Sequence, residues 1–334
     1  MIVQYPANDV GRLPGTQQIY VTRGGNREKT KTVPTSKSKL SGAGENTASW
    51  LLLAPFMAFF ILCTLIPVGS SIVLSFFDYD MVSTPIFTGI QNYMRMFTDD
   101  SVFFTVLGNT LRFAVITGPL SFLLSFLLAW LINEFPHTVR SILSFLFYAP
   151  ALVGNAYYIW QVAFSGDSFG YVNNLLISLG FITEPIQWLK DVAYNSTIIM
   201  VVQLWMSMGV SFLANISGLQ NVNTELYEAG AIDGVRSRWH ELWYITLPSM
   251  KSILLFSAVM QIQSVFSISV VVTTLAGYPS VNNSVDTLVP LIQDVGTARY
   301  EMGYAAALSV FLFFMMAFFR IVVGKALDLM GKQD

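Results

Sequence analysis

The sequence predicts an all-α polytopic membrane protein with six transmembrane helices. Three observations predict it. Hydrophobic residues make up 54% of the 334 and charged residues only 11%, well below the roughly 25% charged of soluble domains. Six long windows hold no Asp, Glu, Lys or Arg: 46–77, 113–133, 141–166, 192–224, 252–285 and 302–319. Crossing a hydrocarbon core of ~30 Å takes roughly 20 apolar helical residues, so each window is long enough or nearly so. Runs such as FLLSFLLAWL and FLFFMMAFF lack the in–out alternation of barrel strands. A chain this poor in charge cannot cover a water-facing surface, which excludes a soluble enzyme. It is too apolar to be disordered. A net charge of -2 argues against a nucleic-acid partner, which needs a clustered basic face.

Taken in order, residues 1–48 are rich in Pro, Gly, Ser and Thr and carry seven basic residues against three acids. They read as a poorly ordered basic tail that fixes topology. The apolar cores that follow are 50–77, 113–132, 142–164, 197–216, 253–272 and 302–319, the last running on past Arg320 with that side chain snorkelling. Window 168–183, SFGYVNNLLISLGFIT, places Val172, Leu175, Leu176 and Leu179 at i, i+3, i+4 and i+7. It is too short and polar to span and reads as an amphipathic helix outside the membrane core. With the N-terminus inside, fourteen of the 18 Lys and Arg residues fall in inner segments, as the positive-inside rule requires. Both termini are then cytoplasmic, and 326–334 is a short inner tail.

The spans lack the groups that other transport mechanisms need. No carboxylate or lysine lies deep in any span, which weighs against a proton-driven carrier. No TVGYG filter and no GxxxxGK[ST] loop occurs, so neither a potassium channel nor an intrinsic nucleotide site is indicated. One cysteine, Cys63, and two distant histidines, His137 and His240, offer no metal set. No catalytic residue, metal or cofactor is expected, and any energy source belongs to a partner.

The most informative segment is the inner loop between the fourth and fifth spans. It opens a helix at Thr224, an N-cap residue, with Glu225 and Glu228 near the positive helix end. That helix stops near Gly234. A second helix over about 237–244 ends before Pro248, which begins span five. Small residues Ala229, Gly230 and Ala231 lie between the acids and the turn, so another surface can approach closely.

This loop resembles the EAA loop of binding-protein-dependent ABC importer permeases. Their pattern is Glu-Ala-Ala, three residues, Gly, then nine residues to Ile-x-Leu-Pro. Here Glu228-Ala229-Gly230 is followed by Gly234 and by Ile245-Thr246-Leu247-Pro248. Gly230 departs from the family alanine but keeps the site small. The resemblance covers nearly all of 50–325. The first span with its Ser-Phe-Phe-Asp-Tyr ending is similar to that of the large maltose-transporter permease. Six spans bring the chain closer to the oligosaccharide and glycerol-phosphate permeases. The resemblance implies a type I importer permease fold, with a permease domain over 49–325 and a coupling loop over 221–248. It also implies Glu228, Ala229, Gly230, Asp233, Gly234, Ile245, Leu247 and Pro248 as ATPase-coupling residues. The implied partners are a second permease subunit, two ABC ATPase subunits and an extracellular solute-binding protein, with a sugar or oligosaccharide as substrate.

Polar groups inside spans must be satisfied by protein, water or solute. Asn155, Tyr158, Gln203, Ser207, Gln263, Ser264 and Ser267 form the expected solute path. Gln203 and Ser207 share one helix face, and Gln263 and Ser267 another. Neutral amides and aromatic faces suit a polyhydroxylated ligand. The competing role for each is to tie helices together. Glycerol-phosphate compounds or charged polysaccharides are the alternative substrates, although no deep cation favours an anion. A stand-alone carrier is the alternative outside this class, although no internal repeat supports one.

Overall fold

The computed structural model describes residues 42–330 other than 267, and side chains from 49 to 327. The greater part of the basic tail, the last four residues and Ser267 therefore lie outside the described residues. The chain divides into two compact units at Ile66 and Pro67. The first contains α1 (Gly42–Phe60) and a π-helical turn over Ile61–Leu65. No residue from 49 to 66 is buried.

The second unit begins within α2 (Ile66–Leu74), at Pro67, and continues with a two-strand hairpin, β1 (Phe77–Asp78) with β2 (Ile86–Phe87). The strands are antiparallel, with Phe77 opposite Phe87. Next comes α3 (Gln91–Thr98), whose Asn92 amide donates to the Ser75 and Phe77 carbonyls at 3.0 and 2.9 Å. These bonds satisfy carbonyls of the turn before β1 and of β1 itself. The chain then forms α4 (Phe103–Asn133), α5 (His137–Leu152), α6 (Tyr157–Ala163), α7 (Tyr171–Ser178), α8 (Asn195–Met206) and α9 (Gly209–Gln220). The loop helices α10 (Thr224–Ile232), α11 (Arg238–Glu241) and α12 (Leu247–Ser249) precede α13 (Lys251–Phe266) and α14 (Ser269–Ala276). Last come α15 (Leu288–Gln293) and α16 (Met302–Met330).

Among the described residues, four helical stretches are long and apolar enough to cross a membrane: Ser49–Leu74, Phe103–Asn133, Lys251–Ala276 and Met302–Leu327. The count reaches six when each of two bent pairs is one crossing. The third and fourth predicted spans are therefore not continuous helices. Helices α5 and α6 meet at 85° and α8 and α9 at 43°. Pro150 removes one helical hydrogen bond just before the first break, and Val153 is extended there. At the second break Ser207 turns its hydroxyl onto the Leu204 carbonyl at 3.0 Å, a bond that competes with the helical ladder.

Helices α4, α9 and α13 pack against one another in the interior. Phe126, Phe212, Ile216 and Leu254 pack in one apolar cluster at the loop end. At the other end Phe103, Leu288, Tyr304 and Leu308 join α4 to α15 and α16. Between them runs a buried polar row. The Ser207 and Ser121 hydroxyls bond at 2.8 Å, and the Gln261 amide donates to the Ser207 carbonyl at 3.1 Å. The Asn215 amide reaches Ser125 and Ser257 at 3.4 and 3.3 Å. Small hydroxyl residues let the helices approach closely while satisfying one another.

Candidate functional site

The loop forms a braced helix–turn–helix. Its first helix is capped by Asn223, whose side chain accepts from the Glu225 N–H at 3.1 Å. The predicted cap, Thr224, is instead the first helical residue. Asn223 is extended, as an N-cap must be, while Thr224 has already entered the helix.

The helix ends as predicted. Gly234 takes φ +93, a conformation costly for any residue with a Cβ. The Val235 N–H returns to the Gly230 carbonyl at 2.9 Å and the Gly234 N–H to the Ala231 carbonyl at 3.4 Å. This pair of bonds is the Schellman closure, which satisfies carbonyls that the helix end would orphan.

Two sequence expectations about the second half need correction. Ten residues, 235–244, separate Gly234 from Ile245, where the family pattern has nine. The turn 235–237 is non-helical, and such an exposed connection tolerates extra length. Helical structure also does not stop before Pro248. It runs from Arg238 through a π turn, Leu242–Thr246, into α12, which holds Pro248 in its first turn. The π turn shifts the bonding frame, Leu247 donating to the Leu242 carbonyl, so the N–H that proline lacks is accommodated.

The coupling residues separate into two groups. Glu228, Ala229, Asp233 and Gly234 are exposed at the tip, together with Ile232, which is 87% exposed. Gly230 is buried: a Cβ there would lie 2.7 Å from the Ile245 Cδ1. Leu247 packs against the apolar cluster of the loop end, and Pro248 is exposed. The motif thus combines a presented surface with its support. The Tyr227 hydroxyl, 2.9 Å from Thr246 Oγ1, braces α10 against the second half.

The expected solute-path residues also separate. Gln203 and Ser207 are buried, and the Gln203 amide donates to the Ser264 carbonyl and hydroxyl at 3.2 and 3.4 Å. These three bind helices of this chain to one another. Asn155, Tyr158 and Gln263 are exposed. Asn155 lies in the break between α5 and α6 and accepts from the Tyr157 hydroxyl at 2.8 Å. Gln161, on α6 beyond that break, is exposed and donates to the Thr274 carbonyl at 3.3 Å. Ser267 lies outside the described residues.

Some structural residues escape sequence reasoning. Asn173, fully buried, donates to the Ser165, Asp167 and Ile186 carbonyls and accepts from the Trp188 indole at 2.7 Å, organising the segment around α7. At the end of α16, Arg95 pairs with Glu301 at 2.6 Å and lies 4.3 Å over the Tyr304 ring. The Arg95 contacts join residues far apart in sequence, and the Asn173 bonds close an irregular segment, so no local periodicity marks either.

Bent apolar helices, a buried polar row and a presented helix–turn–helix together define an integral-membrane transport subunit. The family model described as "Binding-protein-dependent transport system inner membrane component" matches residues 134–331. The chain belongs to this family and is a multi-pass permease component of the inner membrane. It is 31% identical over 212 residues to the lactose transport system permease protein LacF of Rhizobium radiobacter, covering 63% of this chain and 70% of that one. It is 30% identical over 270 residues to the arabinooligosaccharides transport system permease protein AraP of Bacillus subtilis, covering 80% and 84%. Its fold is shared with a chain of a bacterial alginate ABC transporter solved with an alginate-pentasaccharide-bound periplasmic protein. The TM-score is 0.71 at 19% identity, over 86% of this chain and 96% of that one.

Proposed function

We propose that this permease imports a neutral sugar or oligosaccharide, with its helix–turn–helix receiving an ATPase on the cytoplasmic side. The observation that carries the docking reading is the tip of α10, where Ile232 is 87% exposed beside exposed Glu228 and Asp233. A large apolar residue held in the open on a braced turn fits a protein partner better than water. The permease domain occupies 49–325, and both termini lie on the cytoplasmic side, as the basic residues favour.

The assembly pairs this chain with a second, related permease, two ABC ATPase subunits and an extracellular solute-binding protein. ATP is hydrolysed by the ATPase partners; this chain supplies the path and the coupling surface and has no catalytic site. Asn155, Tyr158 and Gln263 face outward from this chain in apolar surroundings. Lipid cannot satisfy such groups, so they fit a solute path closed by the second permease. They are uncharged, which suits hydroxyl-rich neutral ligands. The lactose and arabinooligosaccharide names of the relatives support a saccharide. Gln203, Ser207 and Ser264 stand behind this surface as its helix-to-helix support.

Copurification tests the docking surface. Ile232→Asp is expected to lose the ATPase subunits while the two permeases remain together. Glu228→Ala is expected to keep the helix and lower transport. Wild-type ATPase recovery and transport in both variants would remove the tip from the coupling surface.

A further inference from the structure

The coupling surface has a second attachment, on the far side from its tip. Arg238 opens α11, and its guanidinium reaches Glu134 at 3.0 Å and Glu241 at 2.8 Å. Glu134 is the C-cap of α4, so the cation also lies at the negative end of that long helix. The two carboxylates, Glu241 first and then Glu134, raise the Arg238 pKa, so the guanidinium stays charged. One turn back on the same face of α4, the Trp130 ring lies 5.4 Å from the Trp239 ring at 48°. Ring contact and ion pair therefore come from neighbouring residues of α11 and meet neighbouring turns of α4. An open cleft of about 420 Å³, lined by Trp130, Asn133, Glu134, Tyr227, Arg238 and Glu241 among others, lies beside these contacts. The loop thus meets the end of α4 through discrete side chains around a gap. Higher on α4, Ser121 and Ser125 bond Ser207 at the α8–α9 break and Asn215 on α9.

Resting on the coupling role assigned to the loop, we propose that Arg238 and Trp239 latch it to Glu134 and Trp130, so that loop and second span move as one body. They are positioning residues: a displacement of the tip passes through them to α4 and from there to the bend between α8 and α9. The ion pair fixes direction, and the ring contact resists sliding along the helix.

The full complex, reconstituted with its binding protein, tests the latch. Glu134→Gln and Trp130→Leu are expected to lower solute moved per ATP hydrolysed by about threefold to tenfold, a usual range for residues that carry coupling. Subunit recovery and unstimulated hydrolysis should stay near wild type. A second form uses Glu134→Cys with Arg238→Cys after Cys63→Ser. This form should be uncoupled until a short bifunctional thiol reagent links the two positions, and linked complexes should regain solute per ATP. A monofunctional reagent should not restore it. Normal coupling in both single variants, or a link that stops transport, would overturn the latch. If Glu228→Ala also transported normally, the coupling role of the loop itself would fall. If Glu228→Ala were impaired while the latch variants coupled normally, only the latch would be lost.

Discussion

At position 230 the family alanine is replaced by glycine, and the Ile245 side chain packs against that glycine. An alanine methyl there would lie 2.7 Å from the Ile245 Cδ1. Gly230→Ala gains about 1 kcal/mol of helix propensity, while forcing the isoleucine off its preferred rotamer costs about 0.5–1.5 kcal/mol. Ile245→Val alone opens a gap costing about 0.5–1.5 kcal/mol. Combined, the two should fit, with a favourable coupling of about 1 kcal/mol in a double-mutant cycle on thermal unfolding of the purified complex. Simple additivity would mean that the two sites do not share that space. The sequence made the small residue at 230 legible, since an alanine or glycine there fits the pattern. Which side chain fills the space could not be read, because the π turn that aims Ile245 at α10 has no periodicity of its own.

At the scale of elements, stretches defined by composition were legible and their interruptions were not. Each charge-free window overlaps one of the long apolar helices or bent pairs, and Gly234 marked the end of α10. The breaks at 153–156 and 207–208 went unread, because a charge-free window marks a crossing but not a bend inside it, although Pro150 precedes the first break and Gly154 and Asn155 lie in it. The segment 277–287 after α14 was also opaque. There Asp286, fully buried, accepts from the Ser280 N–H through both oxygens at 3.1 Å, and Asn109 donates to the Asp286 carbonyl at 3.1 Å. Burial raises the Asp286 pKa above its ordinary 3.8, and the Ser280 hydrogen bonds oppose this only in part. The folded segment therefore binds this proton more tightly than the unfolded one. Its contribution to stability is full below 3.8 and is lost as pH rises through the raised folded value. Amide protection across 280–288, corrected for intrinsic exchange, should fall with rising pH in the wild type, and Asp286→Asn should remove that part of the dependence. An identical pH profile in the two proteins would place the effect elsewhere.

For the whole molecule, the decisive distinction lies between polar residues that hold the chain together and those it presents outward. Sequence spacing grouped Gln203, Ser207 and Gln263 as one kind, because a helical face tells which residues neighbour each other but not what covers them. Packing divides them: Gln203 is 3% exposed and bonded to Ser264, while Gln263 is exposed. The two glutamines should therefore respond oppositely to the same change. Gln203→Leu removes a buried amide donor and should lower stability by about 0.5–1.5 kcal/mol. Substrate preference should change little. Gln263→Leu removes no hydrogen bond seen among the described residues and should leave stability within about 0.5 kcal/mol. If Gln263 bonds a passing hydroxyl, the loss of that bond should raise the half-saturating solute concentration by about twofold to tenfold in reconstituted complexes with maltose-like or lactose-like probes. Thermal unfolding and transport measured on the same preparations separate the two effects. Unchanged half-saturation for Gln263→Leu, with stability lost, would make this outward face a surface for the second permease and move the solute path to other helices.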